Sequence, residues 1–589
     1  MKNVVLIVID SMNYSHMKSN RYLTPFINSL LKDNLHYENM YSQAPFTEAA
    51  SMNIYCGQNV LDNGGYIKRY KDAQKTIFES FKEKGFETYY NYFQPQCYPS
   101  SLRRGIDNIY YDVGYDVGPL WSYRFYLYAD LYFNKKITDD DYNLLEEILE
   151  DNFNEWISFT KAILNKNKEV EIIIDNSLNY NAENVLKQVE DQHILFLKDK
   201  RNYINSIFEQ KTSHPFFKIS QYTQDNKIKS KEFIKRFQEK YRSFFEKIGK
   251  TNKKLNKKNC KHKFAGVRRK MVYFITHPNK GSLKDFAKAI LIWKEIYKDS
   301  DLFDRIADNY ETFKNAPSFK RHIDHYINWE KNRSSNFPSF SCIHVDDIHN
   351  PEMFFTYDSE DMSLIDEEMK DAEDVLKNLP EKYYGNITHD LSLRYIDSKL
   401  KYFFNKLKEI NKYDDTIVLI CADHGFSFSG NPIRDSQITN FYLENYNIPC
   451  IVFGSPYKNE VKTLYSSKDI PFILHSLADG KIPSNFDSGI DLFSGRKNVS
   501  IEYCGGGCPD IRRRDLKMAA FSSEWFVGSL GKLDDSIRLT EIYNLKEDPI
   551  QLKKLPKNND VLSIDDIKEL INKIETRRAE IKKYFSPKF

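Results

Sequence analysis

Residues 4–10 read Val4-Val5-Leu6-Ile7-Val8-Ile9-Asp10, and residues 416–425 read Thr416-Ile417-Val418-Leu419-Ile420-Cys421-Ala422-Asp423-His424-Gly425. Each is a short apolar run that ends in a carboxylate. Runs of β-branched residues without polar alternation are typical of strands covered on both faces of a parallel sheet. Ligands of open parallel sheets bind beyond the carboxyl ends of the strands. Two such strands could therefore deliver Asp10, Asp423 and His424 to one place. Carboxylate oxygen and imidazole nitrogen suit Mn²⁺ or Zn²⁺, and Mg²⁺ with extra waters. A plainer reading stands beside this one: Asp10 caps the turn that follows it, and Asp423-His424-Gly425 is an ordinary turn.

Outward from these strands the chain alternates. Residues 24–34 and 76–84 have helical patterning, and residues 88–92 read as a strand, so residues 1–115 carry a βαβ rhythm. Residues 339–345 and 450–453 are further strands, and residues 391–410 and 470–478 are helices. The expectation is an α/β fold: a doubly wound, mostly parallel sheet with a large helical insertion and a small C-terminal subdomain. Residues 1–115 and 336–503 form the two parts of the core. Residues 116–335 form a helical, Lys- and aromatic-rich insertion or cap, with helices at 141–164 and 229–248. Residues 504–589 close the chain and end in an amphipathic helix at 564–584. No internal repeat is evident.

Composition narrows the function classes. The chain has 589 residues, a net charge of +3, 41% hydrophobic residues, 40 Tyr and 41 Phe. A near-neutral balance gives no global reason to expect a nucleic-acid partner. No stretch approaches the roughly 18 apolar residues of a membrane span, and the run at 4–9 is too short for a signal-peptide core. The expectation is a cytoplasmic protein. Its 8 cysteines are irregularly spaced, which fits reduced thiols. The stretch 227–270 is locally basic, with 18 Lys/Arg against three Glu. A solvated helical face, peripheral contact with an anionic membrane or lipid-linked glycan, and nucleic-acid binding are its readings in that order.

A third segment joins the two strands to a chemistry. It reads Gln43-Ala44-Pro45-Phe46-Thr47-Glu48-Ala49-Ala50-Ser51-Met52-Asn53-Ile54-Tyr55-Cys56-Gly57. Together the segments resemble the sulfatase and phosphoglycerol-transferase branches of the alkaline phosphatase superfamily. That group shares an early strand ending in Asp, a nucleophile opening a helix with Gly about ten residues on, and a later strand closing in Asp-His-Gly. Thr47 falls at the nucleophile position. The segment Cys342-Ile343-His344-Val345-Asp346-Asp347-Ile348-His349 resembles the strand and loop that place a His beside the substrate. Tyr395-Ile396-Asp397, Ile448-Pro449-Cys450 and Ile542-Tyr543-Asn544-Leu545 match further blocks in the same order. The matching blocks lie in 1–65 and 339–550.

The resemblance implies an enzyme with one divalent metal ion (Mn, Zn, Mg or Ca) held by Asp10, Thr47, Asp423 and His424. It implies an anionic ester substrate, glycan- or lipid-linked, such as a phosphoglycerol or phosphoethanolamine group, transferred or hydrolysed through a covalent threonine. His349 and His344 are the candidate acid or substrate contacts, because imidazole titrates near neutrality. Arg512, Arg513 and Lys517, beside the triple Gly at 505–507, are candidate anion contacts. The chain departs from sulfatases proper in lacking Cys/Ser-x-Pro-x-Arg at the nucleophile, and threonine cannot become formylglycine. Alternatives remain open. Thr47 could be only an N-cap; Ser51 could be the nucleophile; His344 could be structural; Asp346, Asp347 and His349 could hold a second ion. A sulfuric ester hydrolase, a small-molecule phosphodiesterase and a degenerate binding module are the competing functions.

Overall fold

Side chains alternate along a strand, so strand pairing decides which residues share a face. The computed structural model describes residues 1–92, 99–111, 142–164, 171–174, 181–210, 213–219, 318–346, 362–379, 387–426, 441–487, 489–505, 514–551 and 553–585, with isolated positions between them. Ten described strands form the central sheet. In chain order they are β1 (Asn3–Ile9), β2 (Leu35–Tyr41), β3 (Glu87–Tyr92), β4 (Asn108–Tyr111), β5 (Glu171–Ile174), β6 (Ser339–Val345), β7 (Thr416–Cys421), β8 (Asn447–Ile448), β9 (Cys450–Phe453) and β10 (Glu460–Ser466). Their order is β10-β2-β9-β7-β1-β6-β3-β4-β5, with β8 on β2. From β7 through β5 all neighbours are parallel. β9 runs antiparallel to both β7 and β2, while β10 is parallel to β2.

The apolar runs that open the sequence lie at the centre. Every residue of β1, β6 and β7 is buried, as expected for strands covered on both faces. Val8 pairs with His344 on one side and with Cys421 on the other. Asp10 lies two residues beyond Val8, and Asp423 lies two beyond Cys421. The alternation therefore turns His344, Asp10 and Asp423 to one face at the carboxyl ends of three adjacent strands.

The segment 116–335, read as a helical insertion or cap, also contains a strand. Glu171–Ile174 forms β5, which pairs in parallel with β4 and extends the central sheet. The three consecutive isoleucines favour a strand, but the polar residues around them hid the run. Helices at Tyr142–Ile163, Ala182–Lys198 and Lys200–Gln210 accompany it, and Phe319–Asn332 packs on β6. The basic stretch 227–270 lies almost wholly outside the described residues.

The C-terminal part is a four-stranded antiparallel sheet: β11 (Val499–Cys504), β12 (Leu516–Phe521), β13 (Trp525–Gly531) and β14 (Leu539–Asn544). The helix Asp565–Phe585 packs on β12 and β13. Its Arg577 forms a buried ion pair with Glu502 of β11 at 2.7 Å, and Glu502 also accepts the backbone N–H of Leu61 at 2.9 Å. Among the described residues no helix is long and apolar enough to cross a membrane.

Candidate active site

The helix Thr47–Cys56 brings the fourth side chain to the ends of β1, β6 and β7. Its N-cap position is held by Phe46, and Gly57 closes it in the left-handed conformation at φ 63°. Thr47 is therefore the first helical residue and not the cap. Its hydroxyl turns away from the helix backbone and donates to Asp10 Oδ2 at 3.1 Å. The N-cap alternative for Thr47 is thus not what the structure shows. Ser51 donates its hydroxyl to the carbonyl of Thr47 at 2.8 Å, one turn back along the helix. That bond occupies its proton and points it along the helix, away from the carboxylates.

The two carboxylates are nearly enclosed. Asp10 and Asp423 are each 1% exposed, with His424 at 5%, His344 at 7% and Thr47 at 8%. Asp10 Oδ1 accepts from Ser11 Oγ at 2.6 Å and stands 3.5 Å from His424 Nε2. Asp423 Oδ1 accepts the backbone N–H groups of Ser11, at 3.2 Å, and His424, at 2.8 Å. Its Oδ2 has no hydrogen-bond donor among the described residues. That oxygen faces His424 Nε2 at 3.6 Å and His344 Nε2 at 3.9 Å. Burying a carboxylate oxygen without a partner is costly, and two carboxylates side by side compound the cost.

A cation answers that problem. One ligand atom each from Asp10, His344 and Asp423 lies within 4.8 Å of the others, and all three residues are buried. The donor set is oxygen and imidazole nitrogen, which suits a divalent ion. Asp10, His344 and Asp423 therefore fit a divalent ion, with His424 Nε2 at 3.5 and 3.6 Å from the two carboxylates and the Thr47 hydroxyl on Asp10. The imidazoles differ in charge. Burial opposes charging His424, but the carboxylates of Asp423 and Asp10 outweigh it and raise its pKa above the usual value. Burial dominates at His344 and lowers its pKa, despite the same two carboxylates.

Ser11 was not singled out from sequence, yet it organises this centre. Its φ is 64°, a conformation that residues other than glycine seldom adopt. That twist lets its N–H reach Asp423 while its hydroxyl reaches Asp10. Behind it stands a second cluster. His16 Nε2 lies 2.7 Å from Asp390 Oδ1, and His389 packs beside Asp390 and the Ser11 backbone. Burial works against the charged form of Asp390, but its hydrogen bond with His16 and the nearby imidazole of His389 prevail and hold its pKa at about 2.

The remaining expectations are placed as follows. Lys517 lies on β12, with its ammonium over the Tyr503 ring at 5.4 Å. Tyr503 in turn meets the ring of Phe46, the residue before Thr47, at 6.1 Å. Lys517 is thus two ring contacts removed from Phe46 and is not among the carboxylates. Asp346 is buried at the end of β6. His349, Asp347, Arg512 and Arg513 lie outside the described residues. Asp397 accepts the backbone N–H groups of Phe26 and Ile27 at 3.0 and 2.8 Å, and so caps the Pro25–Asp33 helix from a distance.

Comparison with known proteins gives three kinds of likeness. The family profile described as Sulfatase matches residues 2–479. Lipoteichoic acid synthase 1 of Bacillus subtilis (strain 168) is 31% identical over 122 residues, which is 19% of this chain and 19% of that protein. The chain thus matches about a fifth of that relative's length. Among solved structures, a protein of the alkaline phosphatase superfamily from Vibrio parahaemolyticus is 13% identical, over 100% of this chain and 89% of that one, with a TM-score of 0.46. The phosphonate monoester hydrolase of Agrobacterium radiobacter is 11% identical, over 99% and 96%, also with a TM-score of 0.46.

Proposed function

Because this chain belongs to the sulfatase family, and so to a group of enzymes, we propose that it transfers or hydrolyses a phosphoester through a covalent bond to Thr47. The observation that carries this reading is the Thr47 hydroxyl. It opens a helix, where anions are favoured, and it donates to Asp10 inside a centre of two carboxylates and two imidazoles. A threonine hydroxyl is too weakly acidic to attack unaided. The match to a lipoteichoic acid synthase supports a phosphodiester-linked group, such as phosphoglycerol on a glycan or lipid, as the substrate class.

Asp10, Asp423 and His424 would hold a divalent ion, which would supply positive charge against the Thr47 oxygen and the ester's non-bridging oxygens. Thr47 Oγ1 forms the bond to phosphorus, and its proton passes to Asp10 Oδ2 along the 3.1 Å hydrogen bond. The bond from phosphorus to the leaving oxygen breaks. His349 is assigned to protonate that oxygen, a contribution typically worth about 10²–10⁴-fold. His344, kept uncharged by burial, is assigned to donate a hydrogen bond to a non-bridging oxygen. In the second half, water or an acceptor hydroxyl gives its proton to His349, which lost one in the first half, and attacks phosphorus. The bond to Thr47 breaks, and Asp10 returns the proton.

The family match also favours a second reading, hydrolysis of a sulfuric ester. Against it stands the nucleophile, which is Thr47 without the Cys/Ser-x-Pro-x-Arg pattern. A substrate panel decides between them. Turnover of a phosphodiester, a phosphomonoester and an aryl sulfate is measured with Mn²⁺, Zn²⁺, Mg²⁺ or Ca²⁺. Metal-dependent cleavage of the phosphodiester above the other two supports the proposal. Preference for the aryl sulfate overturns it in favour of the second reading.

A further inference from the structure

A second polar cavity, of about 300 Å³, lies outside the centre just described. None of Asp10, Thr47, His344, Asp423 or His424 lines it. Its walls come from four parts of the chain: the segments flanking the Thr47–Cys56 helix, the turn after β10, the approach to β11, and the helix Asp565–Phe585. Four cationic side chains, Lys468, Arg496, Lys573 and Arg577, line it against one carboxylate, Glu580.

The two arginines are already matched. Arg496 holds Asp469 through Nε at 2.8 Å and Nη2 at 2.5 Å. Arg577 holds Glu502 at 2.7 and 2.8 Å, Asp62 at 2.6 Å and Glu580 at 2.9 Å. Asp469, Glu502 and Asp62 stand behind the arginines and do not line the cavity.

The lysines are different. Lys468 donates to the side-chain oxygen of Asn59 at 2.9 Å, and Lys573 to that of Asn498. Neither forms an ion pair with a carboxylate among the described residues. Asn59 is itself steadied by Gln43, whose amide donates to it at 3.1 Å. The cavity therefore presents two ammonium groups whose hydrogen-bond partners among the described residues are neutral oxygens, with Asp469, Asp62 and Glu502 acting on Lys468 and Glu569 on Lys573 only from further off, on a frame of two arginines locked from behind. Burial, then the charge of Arg496, pulls the Lys468 pKa down to about 8 and shifts Lys573 in the same direction. Ammonium groups in such surroundings gain from an anion.

We propose that this cavity is a binding site for a phosphate- or sulfate-type oxyanion, held by Lys468 and Lys573 and oriented by the fixed arginines. A multi-oxygen anion suits donors arriving from several directions. The oxyanion is either free or carried on an organic group that the cavity volume also admits. The site sits one loop from the nucleophile, because Gln43 precedes Thr47 by four residues and its carbonyl accepts the N–H of Glu502 at 3.0 Å. An anion there would brace the loop that leads into Thr47.

The test is calorimetric titration of the full chain with inorganic phosphate, glycerol phosphate and acetate, at ionic strength fixed with chloride. Asp423→Asn, titrated with a chelator present, leaves no divalent ion to hold an oxyanion at the proposed catalytic centre. In that background phosphate is expected to bind, and both Lys468→Met and Lys573→Met are expected to weaken it at least tenfold. Lys573 lies on the partly exposed face of a helix, so its variant serves if the Lys468 variant does not fold. Glycerol phosphate binding tenfold tighter than phosphate identifies an esterified ligand, and equal or weaker binding a free oxyanion. The proposal is overturned if the Asp423→Asn protein binds no phosphate, if the lysine variants bind it unchanged, or if acetate binds as well as phosphate.

Discussion

Asp10 sits between two hydroxyl donors, Ser11 on one oxygen at 2.6 Å and Thr47 on the other at 3.1 Å. Only Thr47 also opens a helix of ten residues, which is why the proposed attack is assigned to it. Asp10, Asp423 and His424 were legible in the sequence, because they stand at the carboxyl ends of apolar runs, where open parallel sheets place their ligands. Ser11 was not, because a left-handed φ at a serine leaves no compositional trace. The Thr47 cap reading was equally compatible with the sequence, and only the position of Phe46 decides against it. If Asp423 is a cation ligand, Asp423→Asn removes one of two charges facing the ion. Bound metal, read by elemental analysis after dialysis, is expected to fall by about tenfold or more, at least what changes to a ligand's supporting shell produce, with the fold intact by circular dichroism. Full metal retention would remove Asp423 from the ligand set.

The elements read most easily were those buried on both faces, as with β1, β6 and β7. Strand β2, Leu35-His36-Tyr37-Glu38-Asn39-Met40-Tyr41, mixes polar and apolar residues and follows a helix directly, so no clean period announced it. The Thr47–Cys56 helix depends on its end. A Cβ on Gly57 would lie 2.7 Å from Phe486 Cδ1, in a conformation at φ 63° that disfavours any side chain. Gly57→Ala is expected to cost about 1 kcal/mol or more in urea unfolding and to lower turnover by misplacing Thr47. His475, in the Ile470–Ala478 helix, sets a pH limit. It is fully buried, donates from Nε2 to Ser80 Oγ at 2.7 Å while its Nδ1 accepts from Lys84, and stacks on Phe81 at 4.2 Å. Burial, aided by Lys84, lowers its pKa from 6.5 to about 3. Unfolded chains therefore take up a proton at this residue below pH 6.5 while folded ones resist until about 3. Its contribution to stability is complete above 6.5 and is lost as the pH falls through that window, on the order of a few kcal/mol in all. His475→Gln should flatten this limb of the stability profile in urea unfolding between pH 7 and 4. An unchanged slope would show that other groups govern it.

Across the whole molecule, the sequence conveyed the α/β plan and the meeting of distant segments, because the strands that carry the centre are also the most apolar. It did not convey that the sheet runs on into the segment 116–335, where β5 is framed by polar residues. Nor did it show how the C-terminal sheet is fastened. That fastening runs through Arg577, which joins the last helix to Glu502 of β11 and to Asp62 beside the first glycine turn. Arg577→Leu leaves Glu502 buried, and Asp62 partly exposed, without their cationic partner. The expected loss is about 3–5 kcal/mol in chemical unfolding; a loss below about 1 kcal/mol would show that the C-terminal part is held by apolar packing alone.

The most direct measurement of the central claim is intact-protein mass after incubation with a phosphodiester and a divalent ion, for the wild type and for Thr47→Ala, with turnover followed alongside. The account predicts a phosphoryl-containing adduct that maps to Thr47 in the wild type, and neither adduct nor turnover in Thr47→Ala. Turnover that survives in Thr47→Ala would contradict it.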